Sequence, residues 1–220
     1  MDIKINNKSF FVFDLDDTLY YEIDFLKSGY KAIADFLYPI ILENVYDTMI
    51  DLYQKGMYAF EYIVEKYKNK GITVEQLLSI YRFHEPQIKL RNDASVFLQM
   101  LHERNVPIGL ITDGRSITQR NKLKSLLIDR IFNDIIISEE FGSEKPDIRN
   151  YDYFNKKYSG YNFFFFADNL KKDFIVPVNL KWTSFCLLDN GLNIHKQEDI
   201  HRYGKINFID SFNDINIIYG

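Results

Sequence analysis

Phe10-Phe11-Val12-Phe13-Asp14-Leu15-Asp16-Asp17-Thr18-Leu19 is an apolar run that stops abruptly on carboxylates. An unbroken apolar run, without polar alternation, is what a parallel strand covered on both faces requires. The same pattern recurs along the chain. Ile108-Gly109-Leu110-Ile111 ends at Thr112, and Ile135-Ile136-Ile137 ends at Ser138. Phe163-Phe164-Phe165-Phe166 leads to Asp168, and Ser184-Phe185-Cys186-Leu187-Leu188 ends at Asp189.

Helical patterns lie between these runs. Asp93 is placed to N-cap a segment whose Ala94, Phe97, Leu98 and Leu101 share a face. Ser116 to Leu127 groups Leu123, Leu126 and Leu127, and Asp147 to Tyr158 groups Ile148, Tyr151, Phe154 and Tyr158. Strand–helix alternation predicts an α/β protein with a doubly wound, Rossmann-like parallel sheet. A last strand is expected over Ile206-Asn207-Phe208-Ile209 and a closing helix over Ser211 to Ile218.

Tyr20 to Ile88 breaks the alternation. Its apolar residues keep a helical period, and Pro39, Gly56 and Gly71-Ile72-Thr73 punctuate it into about four helices. The block is too long for an ordinary crossover. The expected organisation is therefore a core of residues 1–19 and 89–220 with an inserted all-α subdomain, residues 20–88.

Composition narrows the function classes. The chain has 27 basic and 31 acidic residues, a net charge of −4 and no basic run, which argues against nucleic-acid binding. One cysteine, Cys186, excludes a disulfide framework and a thiolate metal cluster. Met1 to Lys8 lacks the apolar core of a signal peptide, and no apolar run approaches the ~20 residues of a membrane span. The expected location is the cytoplasm; oligomeric state is not legible.

Ligands of open α/β sheets bind outside the carboxyl ends of the strands. Collected there are Asp14, Asp16 and Thr18, then Thr112 with Asp113, then Lys145, then Asp168 and Asp173. Carboxylates converging on one edge repel one another, and a divalent cation resolves the conflict; oxygen-only ligands favour Mg²⁺. Of Asp14 and Asp16, one is placed to attack and the other to move protons. Thr112 and Lys145 suit phosphoryl oxygens. The set matches phosphoryl transfer through an aspartyl-phosphate.

Phe13-Asp14-Leu15-Asp16-Asp17-Thr18-Leu19 resembles the DxDxT first motif of the haloacid dehalogenase-like hydrolase superfamily. Ile111-Thr112-Asp113-Gly114 resembles its second motif, Glu144-Lys145-Pro146-Asp147 its third, and Ala167-Asp168-Asn169-Leu170-Lys171-Lys172-Asp173 its fourth, with Ala167 where Gly is usual. Their order, strand-end placement and the helical insert extend the resemblance over nearly the whole chain.

The resemblance implies Asp14 as nucleophile and Asp16 as the acid that protonates the leaving oxygen and then activates water. It implies Mg²⁺ on the Asp14 carboxylate, the Asp16 carbonyl and the Asp168 carboxylate, with Asp173 in the outer layer. Thr112, the Asp113 amide and Lys145 would hold phosphate, and the insert would be a cap that reads the leaving group, with Tyr20 and Tyr21 at its hinge. The implied activity is a phosphatase of a small phosphorylated metabolite, a sugar phosphate or a nucleotide. A phosphomutase would keep every one of these residues and remains the alternative. A dehalogenase would lack Asp16, a receiver domain would place its Lys last, and a silent binding module would have lost one of Asp14, Asp16 or Lys145.

Other polar residues read as background. His84, His102, His195 and His201 have no metal-ligand spacing. Arg115, Gln119 and Arg120 read as an exposed helix face, and Asp17 and Asp113 as residues serving the local backbone.

Overall fold

The computed structural model describes residues 1–198 and 204–220; His201 lies outside the described residues. In chain order the elements are β1 (Asp2–Ile5), β2 (Ser9–Phe13), α1 (Glu22–Ile41), α2 (Tyr46–Gln54), α3 (Ala59–Lys66), α4 (Val74–Phe83), α5 (Asn92–Glu103) and β3 (Ile108–Thr112). They continue with α6 (Ser116–Ser125), β4 (Asp134–Ile137), α7 (Ser138–Phe141), α8 (Ile148–Lys157), β5 (Asn162–Ala167), α9 (Ile175–Asn179), β6 (Thr183–Leu187), β7 (Asn207–Ile209) and β8 (Asn216–Tyr219).

The unbroken apolar runs become one parallel sheet in the order β4-β3-β2-β5-β6-β7. Register aligns aromatic rings on one face: Phe13 opposes Phe166, which opposes Phe185, and their ring centroids stack at 5.2 and 4.7 Å. Phe97 of α5 covers this row, 5.6 Å from Phe166. The opposite face buries Phe10, Phe165, Tyr151, Phe154 and Trp182 in one cluster. In-register pairs of this kind are the unit of sheet stabilisation, so the Phe-rich runs both form the strands and set their partners.

The fold divides into two compact units, Met1–Glu22 with Lys89–Gly220, and Ile23–Ile88. The division falls after Glu22, so Tyr20 and Tyr21, expected at the start of the insert, belong to the sheet-containing unit. Within the helical unit Ile33, Leu37, Val45, Met49, Ile63 and Leu77 are fully buried. Gly29 lets α1 approach α4: a Cβ there would lie 2.4 Å from the Tyr81 ring. Pro39 does not end α1, which runs on to Ile41, because a proline in the last turn removes a single backbone bond. Among the described residues no helix is long and apolar enough to cross a membrane.

The structure departs from the local sequence pattern at two places. The closing helix does not form: Phe212–Asp214 make one 3-10 turn, boxed by Ser211 and Asp214, and Asn216–Tyr219 then pair in parallel with Asp2–Ile5. Ile215 and Ile217 are buried and alternate with exposed Asn216 and Ile218, a strand period across a segment too short to resolve from a helical one. Asp93 is not the N-cap of α5, a position held by Arg91. It lies in the first turn and ties that turn to the chain's end: its carboxylate receives Arg91, the Ser211 hydroxyl at 2.8 Å and the Phe212 N–H at 3.0 Å.

Burial alone would raise the Asp93 carboxyl, but the Ser211 bond, the Arg91 charge and the Phe212 amide outweigh it and hold the pKa below its ordinary value. Asp93→Ala is therefore expected to cost about 2–4 kcal/mol at pH 7, because it strands the buried Arg91 guanidinium. A depressed carboxyl contributes stability above its unfolded pKa and loses it as pH falls through the folded one, so the penalty should shrink in acid. Urea melts of both proteins at pH 7 and pH 3 check this; equal midpoints at pH 7 would refute it.

Candidate active site

Asp14 follows β2, the central strand, and its N–H donates to the Phe166 carbonyl at 2.8 Å, carrying the β2–β5 ladder one residue further. Thr112 ends β3 on one side, and Asp168 follows β5 on the other. Three neighbouring strands thus deliver their end residues to one edge, all of them buried: Asp14, Thr112 and Asp168. Lys145 arrives from the connection between α7 and α8 and is 4% exposed.

The charges are tightly packed. Lys145 Nζ donates to Asp14 Oδ1 at 2.6 Å and stands 2.8 Å from Asp173 Oδ1. The other Asp173 oxygen accepts the Asn169 N–H at 3.0 Å, so Asp173 holds the lysine and its own loop. Asp168 Oδ2 accepts from Asn193 Nδ2 at 3.1 Å, and Thr18 Oγ1 lies 3.5 Å from Asp14 Oδ2.

Carboxylate oxygens of Asp14, Asp168 and Asp173 lie within 4.8 Å of one another. Burial lifts Asp14 to about 7 against the pull of Lys145, with repulsion from Asp173 adding to the rise. Burial, then Asp14 and Asp173, push Asp168 well above the ordinary carboxylate range. Lys145 stays firmly protonated: burial opposes its charge, but Asp14 and Asp173 prevail. Were all three ionised, the single ammonium, bonded to two of them, would leave excess negative charge, and the donor set is all oxygen. These residues fit a hard divalent cation such as Mg²⁺.

Asp16 sits in a different environment. Its Oδ1 receives Lys122 Nζ at 2.6 Å and the Tyr20 hydroxyl, and its Oδ2 receives Gln119 Nε2 at 3.0 Å. Burial would raise its pKa, but the Lys122 charge and hydrogen bond, aided by Tyr20 and Gln119, bring it below the ordinary value. The two carboxylates of the first loop are thus driven apart, the pattern that separates proton-handling roles.

Several background residues belong to this constellation. Gln119, expected on an exposed face, is 1% exposed, whereas Arg120 does lie outward and pairs with Glu140. Lys122 is also buried. Gln119, Lys122, Leu123 and Leu126 have the i, i+3, i+4, i+7 spacing of a core-facing stripe, which was the available signal. Asp113 does more than serve its local backbone, since its carboxylate accepts the Lys145 N–H at 3.0 Å and Lys172 Nζ at 2.9 Å. Asp17 accepts the Glu22 N–H at the start of α1 and the Ile194 N–H, both at 2.8 Å.

Tyr20 is fully buried with its hydroxyl on Asp16, and Tyr21 accepts from Asn190 Nδ2 at 3.0 Å beneath the Arg91 guanidinium. A cavity of about 90 Å³ opens among Asp14, Asp16, Asp113, Asp168 and Lys172, with Glu22 and His195 also on its wall. Glu22 was not anticipated; burial and repulsion from Asp16 lift it to about 8. Among the other histidines, His84 is satisfied by Tyr81 O and Ser28 Oγ.

Comparison with known proteins bears on family and fold. The family model described as haloacid dehalogenase-like hydrolase matches residues 11–162. The glyceraldehyde 3-phosphate phosphatase of Methanocaldococcus jannaschii is 31% identical over 157 residues, covering 64% of this chain and 67% of that protein. The glyceraldehyde 3-phosphate phosphatase of Methanothermobacter thermautotrophicus is 27% identical over 152 residues, with the same two coverages, 64% and 67%. Among solved structures, YfnB from Bacillus subtilis, bound to magnesium, superposes with a TM-score of 0.62 at 16% identity, over 95% of this chain and 97% of that one. A HAD phosphatase from Thermococcus onnurineus gives 0.57 at 16% identity, over 94% and 95%. At such identities the structural likenesses speak to the fold.

Proposed function

This chain belongs to the haloacid dehalogenase-like hydrolases, and from that premise we propose that it is a Mg²⁺-dependent phosphatase of a small sugar phosphate, a triose phosphate first. The observation that carries the reading is the buried Lys145 ammonium, 2.6 Å from an Asp14 carboxylate at the end of the central strand, with the Thr112 hydroxyl and Asp168 on the flanking strands. The names of these two relatives support the substrate class.

In this reading an Asp14 oxygen attacks phosphorus while Lys145 and the Thr112 hydroxyl hold the phosphoryl oxygens. The ester P–O bond breaks, and the leaving oxygen takes a proton from Asp16. Asp16, ionised in its present setting, gains proton affinity as the phosphate dianion approaches. It then takes a proton from the water that hydrolyses the aspartyl-phosphate. The Asp14 and Asp168 carboxylates, with the Asp16 main-chain carbonyl, would hold the cation, whose charge offsets that of the phosphoryl oxygens. Asp173 keeps Lys145 in place. The helical unit, Ile23–Ile88, is proposed as the cap that selects the leaving group.

The test is phosphate release from a panel of triose, pentose and nucleoside monophosphates, with Mg²⁺ and with EDTA. A triose phosphate is expected among the best substrates by kcat/KM, and chelation should remove activity. Nucleotides preferred throughout would overturn the substrate class, and an isomer formed in place of inorganic phosphate would make the protein a mutase.

A further inference from the structure

Helix α6 turns two polar side chains inward. Gln119 and Lys122 are 1% and 3% exposed, where an ordinary amphipathic helix would bury aliphatic residues. Burying an ammonium or an amide is unfavourable unless it is paired. Both converge on Asp16. Lys122 Nζ donates to Oδ1 at 2.6 Å, and Gln119 Nε2 lies 3.0 Å from Oδ2.

The same Gln119 nitrogen is 2.5 Å from Thr112 Oγ1 and 3.1 Å from the Asp113 carbonyl. A carboxylate and a carbonyl can only accept, so the end of the amide that faces them must be the NH₂. The NH₂ has two N–H bonds for three acceptors, so one is shared, and because an amide nitrogen cannot accept, the single Thr112 O–H is donated elsewhere. Gly114 makes room for this bridge: its φ of +141° suits glycine, and a Cβ would come within 3.2 Å of the Gln119 side chain.

A buried ion pair of this kind is weak evidence for stability, since an apolar pair of similar volume often serves as well. Its geometry instead fixes one functional group relative to another. We propose that Gln119 and Lys122 are positioning residues for proton transfer: Lys122 holds the Asp16 carboxylate by one oxygen, and Gln119 locks the other to the phosphate-facing Thr112 hydroxyl. Asp16 is thereby aimed at the leaving oxygen, and the Thr112 O–H at the phosphoryl group. This rests on the acid role proposed for Asp16.

The experiment compares kcat/KM for an alkyl ester, glyceraldehyde 3-phosphate, with that for p-nitrophenyl phosphate. This ratio reports transfer to Asp14 rather than the later hydrolysis. An alkoxide needs a proton to leave and a nitrophenolate does not, and a positioned acid contributes roughly 10²–10⁴-fold. Lys122→Met is expected to lower the alkyl value about 10²-fold and the aryl value less than about tenfold, and Gln119→Leu, which also releases the Thr112 hydroxyl, to lower both but the alkyl value at least about tenfold more, each at unchanged circular dichroism. Lys122→Arg should recover much of the alkyl loss. Lys122→Gln carries the comparison if the methionine variant is insoluble.

Asp16→Asn separates the two claims. If it shows the alkyl–aryl split while the Lys122 and Gln119 variants lose both activities in parallel, or lose neither, the positioning role is overturned and the acid stands. If Asp16→Asn shows no split, the acid assignment falls and the positioning role with it.

Discussion

Asp14→Asn is expected to leave a folded protein with no more than about 10⁻⁴ of wild-type turnover, because the amide cannot form the covalent phosphoryl intermediate. Folding should survive for a reason visible in the site. The Asp14 carboxyl is lifted to about 7 mainly by burial, so its ionised form is held at a disadvantage. An isosteric amide removes that charge while its oxygen still accepts from Lys145, whose second partner, Asp173, remains 2.8 Å away. Acid-quenched wild-type enzyme given ³²P-labelled substrate should carry label on the peptide containing Asp14, and the variant should carry none. More than a few per cent of turnover in a pure preparation would refute the assignment.

The second large effect separates two aspartates of the fourth motif. Asp168→Asn should lower activity by roughly 10²–10³-fold through loss of a cation ligand, yet leave metal-free stability equal or higher. The ionised Asp168 is disfavoured by burial and by Asp14 and Asp173, so its removal relieves repulsion. Asp173→Asn should instead destabilise, because Asp173 is fully buried and pairs with Lys145 and the Asn169 amide.

The sign with pH follows from the raised carboxyls. Between an ordinary carboxylate pKa near 4 and the folded value of about 7 for Asp14, the folded state binds more protons than the unfolded, so metal-free stability falls as pH rises. Thermal midpoints in EDTA should drop from pH 5 to pH 7.5, less steeply in Asp168→Asn. Mg²⁺ should restore the wild type most at the higher pH, since binding requires ionised ligands. A metal-free midpoint that rises over this interval would contradict the crowded-carboxylate reading.

Much of the α/β core was legible because its signals are local. A parallel strand buried on both faces must be apolar throughout, so Phe10–Phe13, Ile108–Ile111 and Phe163–Phe166 announce themselves. The carboxylates and Thr112 that end those strands fall on one edge because parallel strands share a direction. The helical period of the segment before Ile88 was equally local. Gln119 and Lys122 had the core-facing spacing of Leu123 and Leu126, but a polar side chain at such a position has no reason to be buried until its partner is known.

Sequence by itself therefore determined the six strands of the main sheet, the interruption by a helical insert and the set of polar groups at the strand ends. Tertiary structure alone decided the rest. The last residues form a strand because Asp2–Ile5, from the opposite end of the chain, pairs with Asn216–Tyr219. Asp93 joins Ser211 and Phe212 in place of capping its own helix. Asp14 and Asp16 acquire opposite proton affinities because burial, with repulsion from Asp173, outweighs Lys145 at the first, whereas Lys122, Tyr20 and Gln119 together outweigh burial at the second. Each of these depends on atoms distant in the chain and close in space, where burial and charge act together over a few ångströms; no window of sequence contains both partners.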